Sequence, residues 1–108
     1  MERILHLTLK KRWFDMILSG EKKEEYREVK YYWLSRLKYY CNHADMMHEF
    51  NYNYTHIMFK NGYSKCSPSL LIELISVRFG KAKHEWSDGC EDEVLVIELG
   101  KIIETKNI

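Results

Sequence analysis

Proline and glycine are scarce in this chain: one Pro and five Gly in 108 residues. That scarcity excludes a collagen-like repeat and a flexible low-complexity linker, so the chain reads as one domain with a modest core. Cysteine is equally sparse. Cys41, Cys66 and Cys90 are an odd set with no C-x-x-C pair, which argues against a disulfide scaffold and fits a reducing cytosol. No apolar run approaches the roughly 20 residues of a membrane span, and the opening "MERILHLTLKK" is too polar for a signal peptide. A cytoplasmic protein is expected. His43 and His48 are five apart, the other histidines (His6, His56, His84) are dispersed, and no H-E-x-x-H occurs; neither a metal nor a cofactor is expected. An excess of one charge is also lacking, since the formal net charge is only +1.

The distribution of charge says more than its sum. Residues 1–40 carry ten Lys/Arg against six Asp/Glu, and residues 41–108 carry seven against ten. A fold that gathers the first set on one face would present a basic patch to an anion. Aromatics are plentiful, and all eight tyrosines lie between Tyr26 and Tyr63. They form either a stacking surface or an aromatic core.

Along the chain, "RILHLTLK" alternates and puts Leu5, Leu7 and Leu9 on one face of a strand. From Lys11 the spacing turns helical, pairing Trp13 with Ile17 and Phe14 with Leu18 until Gly20 ends the helix. "KKEEYREV" predicts a second strand and "YYWLSRLKYYC" a second helix, with Trp33, Leu34, Leu37 and Cys41 inward. "NHADMMHEFNYN" predicts a polar connection. "YTHIMFKNGY" predicts a strand ending in an Asn61-Gly62 hairpin turn, "SLLIELISVRF" a long strand, and "VLVIELGKIIE" the last. The order β-α-β-α-β-β-β, with helices confined to the first half, indicates an α+β domain with a mostly antiparallel sheet, closed or partly closed as a small barrel.

The second strand is the anomaly. Alternation places Lys23, Glu25, Arg27 and Val29 on one face and Lys22, Glu24, Tyr26 and Glu28 on the other. Neither face is apolar enough for plain core. Either this is a solvated edge strand whose charges block pairing, or it is a site. For a site, Glu25 and Arg27 can hold each other by a charge-assisted bond, and Lys22 reaches the same space from the Gly20 turn.

The segment Gly20-x-Lys22-x-x-Glu25-x-Arg27, entered from the helix "WFDMILSG", resembles the signature of the ASCH domain family, within the PUA-like superfamily of small β-barrels. "YTHIMFKNGY", "SLLIELISVRFGKAKHEW" and "VLVIELGKI" are similar to that family's later strands, so the resemblance covers nearly the whole chain. It implies one PUA-like barrel domain over residues 1–108 with two helices at its side and the motif lining a cleft. It also implies RNA or a nucleotide as partner. Lys10, Lys11, Arg12, Lys22 and Arg27 would then meet phosphate, and Tyr26, Tyr63 or Trp86 would stack on a base.

Two other functions stand beside this one. A bacterial branch of the family is an amidohydrolase acting on N4-acetylcytidine; its catalytic Lys matches Lys22, but its catalytic Thr falls at Glu25, and its third carboxylate has only Glu85 as a substitute. Ribonuclease-like chemistry would instead use Glu25 as base and Lys22 as electrostatic stabiliser, because a neighbouring carboxylate favours the charged amine. The third function is an interaction module whose cleft takes a small ligand or a partner protein. Asp88, Glu91, Asp92 and Glu93 read as a solvated acidic loop.

Overall fold

The computed structural model describes residues 3–108. Its elements, in chain order, are β1 (Ile4–Thr8), α1 (Lys11–Leu18), β2 (Glu24–Glu28), α2 (Tyr31–Arg36), β3 (Tyr39–Asn42), β4 (Met47–Phe50), β5 (His56–Lys60), β6 (Ser69–Lys81) and β7 (Glu93–Lys106). A single 3-10 turn, His84–Trp86, sits in the loop between β6 and β7. The architecture is α+β: a mostly antiparallel sheet curled into a half-barrel, with two short helices.

The five-stranded sheet runs β1-β5-β6-β7-β2. Among the described residues only β1 and β5 pair in parallel; β5–β6, β6–β7 and β7–β2 are antiparallel. The two longest strands, β6 and β7, hold 13 and 14 residues and are the frame on which the others hang. Register irregularities between Leu71 and Ser76 bend β6 against β7, which tightens the local twist and curls the sheet. Among the described residues β1 and β2 do not pair, so the curl stops short of a closed barrel and leaves a seam between its two edge strands.

The core lies inside the curl. Leu5 and Leu7 of β1, and Leu9 just after it, enter it as alternation requires, with His6 outside. They meet Ile57 and Phe59 of β5, Leu70, Ile72 and Leu74 of β6, and Leu95, Ile97 and Leu99 of β7. Phe14 and Ile17 of α1 close the layer, and Trp33, Leu34 and Leu37 pack against it from α2 and its end. No helix of the described residues is long and apolar enough to cross a membrane.

Four local expectations change. The second helix stops at Arg36, not Cys41, because Lys38 takes a left-handed conformation (φ 51°) and the chain turns into β3. Cys41 is consequently a partly buried strand residue. The polar connection after it is a hairpin, β3–β4, whose turn is held by Asx bonds: Ala44 N–H donates to Asn42 Oδ1 at 3.0 Å and Met47 N–H to Asp45 Oδ1 at 3.1 Å. The β5–β6 hairpin is real, but Asn61 and Gly62 open a longer loop that Asn61 N–H closes on the Pro68 carbonyl at 3.0 Å.

Candidate functional site

The end of α1 sets the position of Lys22. Gly20 adopts φ 85°, a conformation costly for a residue with a side chain, and the Lys22 N–H then folds back onto the Met16 carbonyl at 2.9 Å. This turn delivers Lys22 beneath β2. Its Nζ donates to Glu25 Oε1 at 3.1 Å and to the Trp86 carbonyl at 2.9 Å, and lies 4.3 Å from the centre of the Trp13 ring. The ammonium thus has two acceptors and, with the Tyr26 ring centre 5.3 Å away, a second aromatic neighbour.

Glu25 and Arg27 project inward from β2, opposite Ile97 and Leu95 of β7, so the motif's charges share the core side of the sheet. Lys22 and Glu25 are buried at 2% and 4% exposure. The Glu25 carboxylate accepts from Lys22, from the Tyr26 N–H at 2.8 Å, and has Arg27 Nη2 3.5 Å from its second oxygen. Arg27 Nη2 also donates to the Thr8 carbonyl of β1 at 3.2 Å. These two bonds do the work of the missing β1–β2 ladder: a side-chain carboxylate takes an N–H of β2, and a guanidinium takes a carbonyl of β1. The strand is an edge, as the plainer reading has it, but its inner charges are buried and paired, not solvated.

Burial pushes the Lys22 ammonium below its ordinary pKa; Glu25 opposes this and Arg27 adds to it. The balance is opposite to the one expected from Glu25 alone, because desolvation of the buried amine outweighs its single carboxylate partner.

On the outer face, Glu24 is held by protein partners. It accepts from Tyr26 Oη at 2.7 Å and from Arg78 Nη2 at 2.8 Å, and Tyr26 Oη accepts in turn from the Lys83 N–H at 3.1 Å. Burial alone would raise the Glu24 carboxyl, but the Tyr26 and Arg78 bonds together hold it below its ordinary value. Burial, reinforced by the neighbouring Glu24, pushes the Tyr26 phenol well above its own. Glu28 is exposed as expected.

Two adjoining cavities open along the seam. One, of about 270 Å³, is lined by Trp13, Lys22, Glu25, Tyr26, Arg27 and Trp86 among others, including Ser87 and Asp88. The second, of about 440 Å³, shares the Trp13, Glu25, Tyr26, Arg27 and Asp88 walls and adds Lys10. The expected residues Lys10, Lys22, Glu25, Tyr26, Arg27 and Trp86 therefore converge in one cleft. Tyr63 lies outside it, on the β5–β6 loop at 93% exposure, and Glu85 is not among its lining residues. Asp88 sits 3.9 Å from Lys10 and 3.8 Å from Arg12, so the acidic loop meets the basic first turn of α1 at the cleft mouth. These are exposed pairs, worth little individually.

Trp13, Ser87 and Asp88 were not anticipated as lining residues. Trp13 read as core spacing, and it does pack inward, yet Arg12 and Lys22 approach its ring at 4.4 and 4.3 Å. Among the described residues, two buried side-chain polar atoms have no hydrogen-bond partner, Arg27 Nε and Ser87 Oγ. No group of three His, Cys, Asp or Glu among the described residues is placed to hold a metal ion. Compared with models of protein families, with curated proteins and with solved structures, the chain matches none of them.

Proposed function

We propose that this chain is an ASCH-type, PUA-like domain that binds a nucleotide or single-stranded RNA in the seam cleft. One observation carries the reading: the two unpartnered buried polar atoms, Arg27 Nε and Ser87 Oγ, belong to residues lining the same cavity. Leaving such groups unpaired costs about 1–3 kcal/mol each, and a ligand bearing acceptors removes that cost. Around them stand groups suited to a nucleotide. Lys10 and Arg12 are exposed cations at the mouth for phosphate, and Trp13, Tyr26 and Trp86 supply ring surface for a base. The buried Lys22–Glu25–Arg27 set carries one net positive charge against the Asp88 and Glu28 carboxylates that also line the cavity, and it is the part of the cleft suited to an anion.

The test is a titration of labelled single-stranded RNA and of a mononucleotide across a salt series. Log affinity should fall linearly with log salt, by roughly 0.7 per phosphate contacted. Ser87→Ala and Arg27→Gln should each weaken binding. No binding of either ligand at low salt overturns the reading.

A hydrolase acting on RNA or an acylated nucleoside is the second reading, favoured by the depressed Lys22 amine. A lowered pKa brings an amine closer to the range in which it serves as proton acceptor or nucleophile. Turnover of an acylated nucleoside that is lost in Glu25→Gln would replace the binding reading with this one.

A further inference from the structure

The cleft leaves one conspicuous stretch unused. Between Val29 and Cys41 the chain holds Lys30, Arg36 and Lys38 and no Asp or Glu. The core takes Trp33, Leu34 and Leu37 from this stretch and leaves the tyrosines out. Tyr31 is 84% exposed and Tyr32 54%. Tyr31 and Ser35 lie one turn apart on α2, and with Leu34 and, past the helix end, Lys38 and Tyr39 they line a groove of about 390 Å³. That volume is in the range of small-molecule sites, roughly 300–1,000 Å³.

A relay of side-chain contacts leads from the cleft toward this surface. The Arg27 guanidinium, a wall of the cleft, lies 5.2 Å from the centre of the Trp33 ring on α2. Tyr32 meets Trp33 edge-on at 4.7 Å, and Tyr32 Oη accepts from Arg36 at 3.0 Å. Tyr31 is the next exposed ring, about 100° around the helix. Tyr40 is not part of the path, since it stands opposite Glu49 in the β3–β4 hairpin.

Aromatic rings interspersed with cations suit a ligand that offers both flat π faces and a repeated negative charge. A second copy of this chain does not fit that description. A two-fold contact through α2 would set Lys30, Arg36 and Lys38 against the same cations. Resting on the cleft reading above, we infer that the ligand is single-stranded nucleic acid and not a free nucleotide. One nucleotide occupies the seam cleft, and its neighbours run over α2. A base stacks on Tyr32, the next on Tyr31 in the groove, and Lys38 meets a phosphate. Lys30 is a weaker contact, since its Nζ already lies 3.7 Å from Glu28.

The experiment compares an RNA of about ten nucleotides, within the span of known single-strand sites, with a 5′-mononucleotide. Both are titrated against the full chain and the variants Tyr31→Ala, Tyr32→Ala, Lys38→Asn and Arg27→Gln. Loss of a stacking ring should weaken the oligomer about 5- to 150-fold and leave mononucleotide affinity unchanged. Lys38→Asn, which keeps a residue tolerant of the left-handed backbone, should lower the salt slope for the oligomer by about 0.7. Arg27→Gln should weaken both ligands.

Oligomer affinity indifferent to both tyrosines overturns the inference, as does an oligomer that binds no more tightly than the mononucleotide. If Tyr31→Ala and Tyr32→Ala weaken the oligomer while Arg27→Gln changes neither ligand, the α2 surface stands and the cleft reading falls. Self-association that is abolished by Tyr31→Ala, with no RNA binding, replaces the nucleic acid with a second copy and overturns the inference.

Discussion

Lys22 and Glu25 form a buried ion pair in which each partner is held for more than the other's sake. Glu25 also serves the Tyr26 N–H and neighbours Arg27, while Lys22 also ties the Trp86 carbonyl to the underside of β2. A structural role and a ligand-binding role therefore overlap in the same atoms, and mutation separates them. Lys22→Met keeps the stem that packs on Trp13 but leaves a buried carboxylate with only Arg27 to balance it. Breaking such a pair from one side costs about 3–5 kcal/mol, a large share of the stability of a small domain. The double variant Lys22→Met/Glu25→Leu should recover part of that loss, since the apolar surface of Trp13 and Ile97 is at hand. It should not recover all of it, because the Tyr26 N–H then loses its acceptor. Urea unfolding of the three proteins measures this directly, and a single variant that unfolds at the wild-type midpoint would remove the structural role.

At the scale of elements, strands with clean alternation and long apolar runs were readable from residues alone. The Leu5–Leu7–Leu9 face, the packing side of α1, and the long β6 and β7 all follow from their side-chain period. The second helix was readable at its start and not at its end. "LKYYC" continues the apolar period of a helix, yet it ends the helix at a left-handed Lys38 with no glycine to announce it. The β3–β4 turn was hidden for a similar reason, since Met46 takes φ 59° where a hairpin signal would place Gly or Asn. For the candidate site, Glu25 and Arg27 were legible because charges on an inward strand face are out of place, and Lys22 because it follows the Gly20 turn that leads into that strand. Their partner from the far loop was not, because Lys22 reaches a backbone carbonyl 64 residues away and a carbonyl has no residue type. Lys38 offers a direct check on the element boundary. A left-handed L-residue costs roughly 1–2 kcal/mol, and glycine gives back about 0.5–1 kcal/mol through its freer unfolded chain. Lys38→Gly should therefore stabilise the protein by about 0.5–1 kcal/mol, read as a rise of several degrees in Tm. A helix that truly continued through Cys41 would be destabilised by the same change.

The molecule as a whole is two sheets of unequal independence. The five-stranded half-barrel encloses the core, whereas β3–β4 is a separate two-stranded sheet of exposed and half-buried residues. An isolated hairpin of that size is marginal in water, so its order depends on how it docks. The docking is aromatic: Phe79 of β6 meets Tyr39 at 5.3 Å, Phe50 at 5.3 Å and His48 at 5.7 Å between ring centres. The clustered tyrosines thus divide their duties, some fastening the small sheet and others, on α2, left facing water. Phe79 lies beyond the irregular part of β6, in regular register with Leu95 of β7. Truncating it removes the fastener without disturbing the Leu70–Leu74 end of the core. The Tyr39 and Phe50 contacts, at about 0.5–1.5 kcal/mol each, correspond to a roughly 5- to 150-fold change in an opening equilibrium. In Phe79→Ala, native-state hydrogen exchange should accelerate by that factor at the protected amides of residues 39–50. Amides of Leu70–Leu74 should change only with the global stability. Uniform acceleration across both sheets would mean that the hairpin and the half-barrel open as one unit, and that Phe79 serves the common core instead of joining two parts.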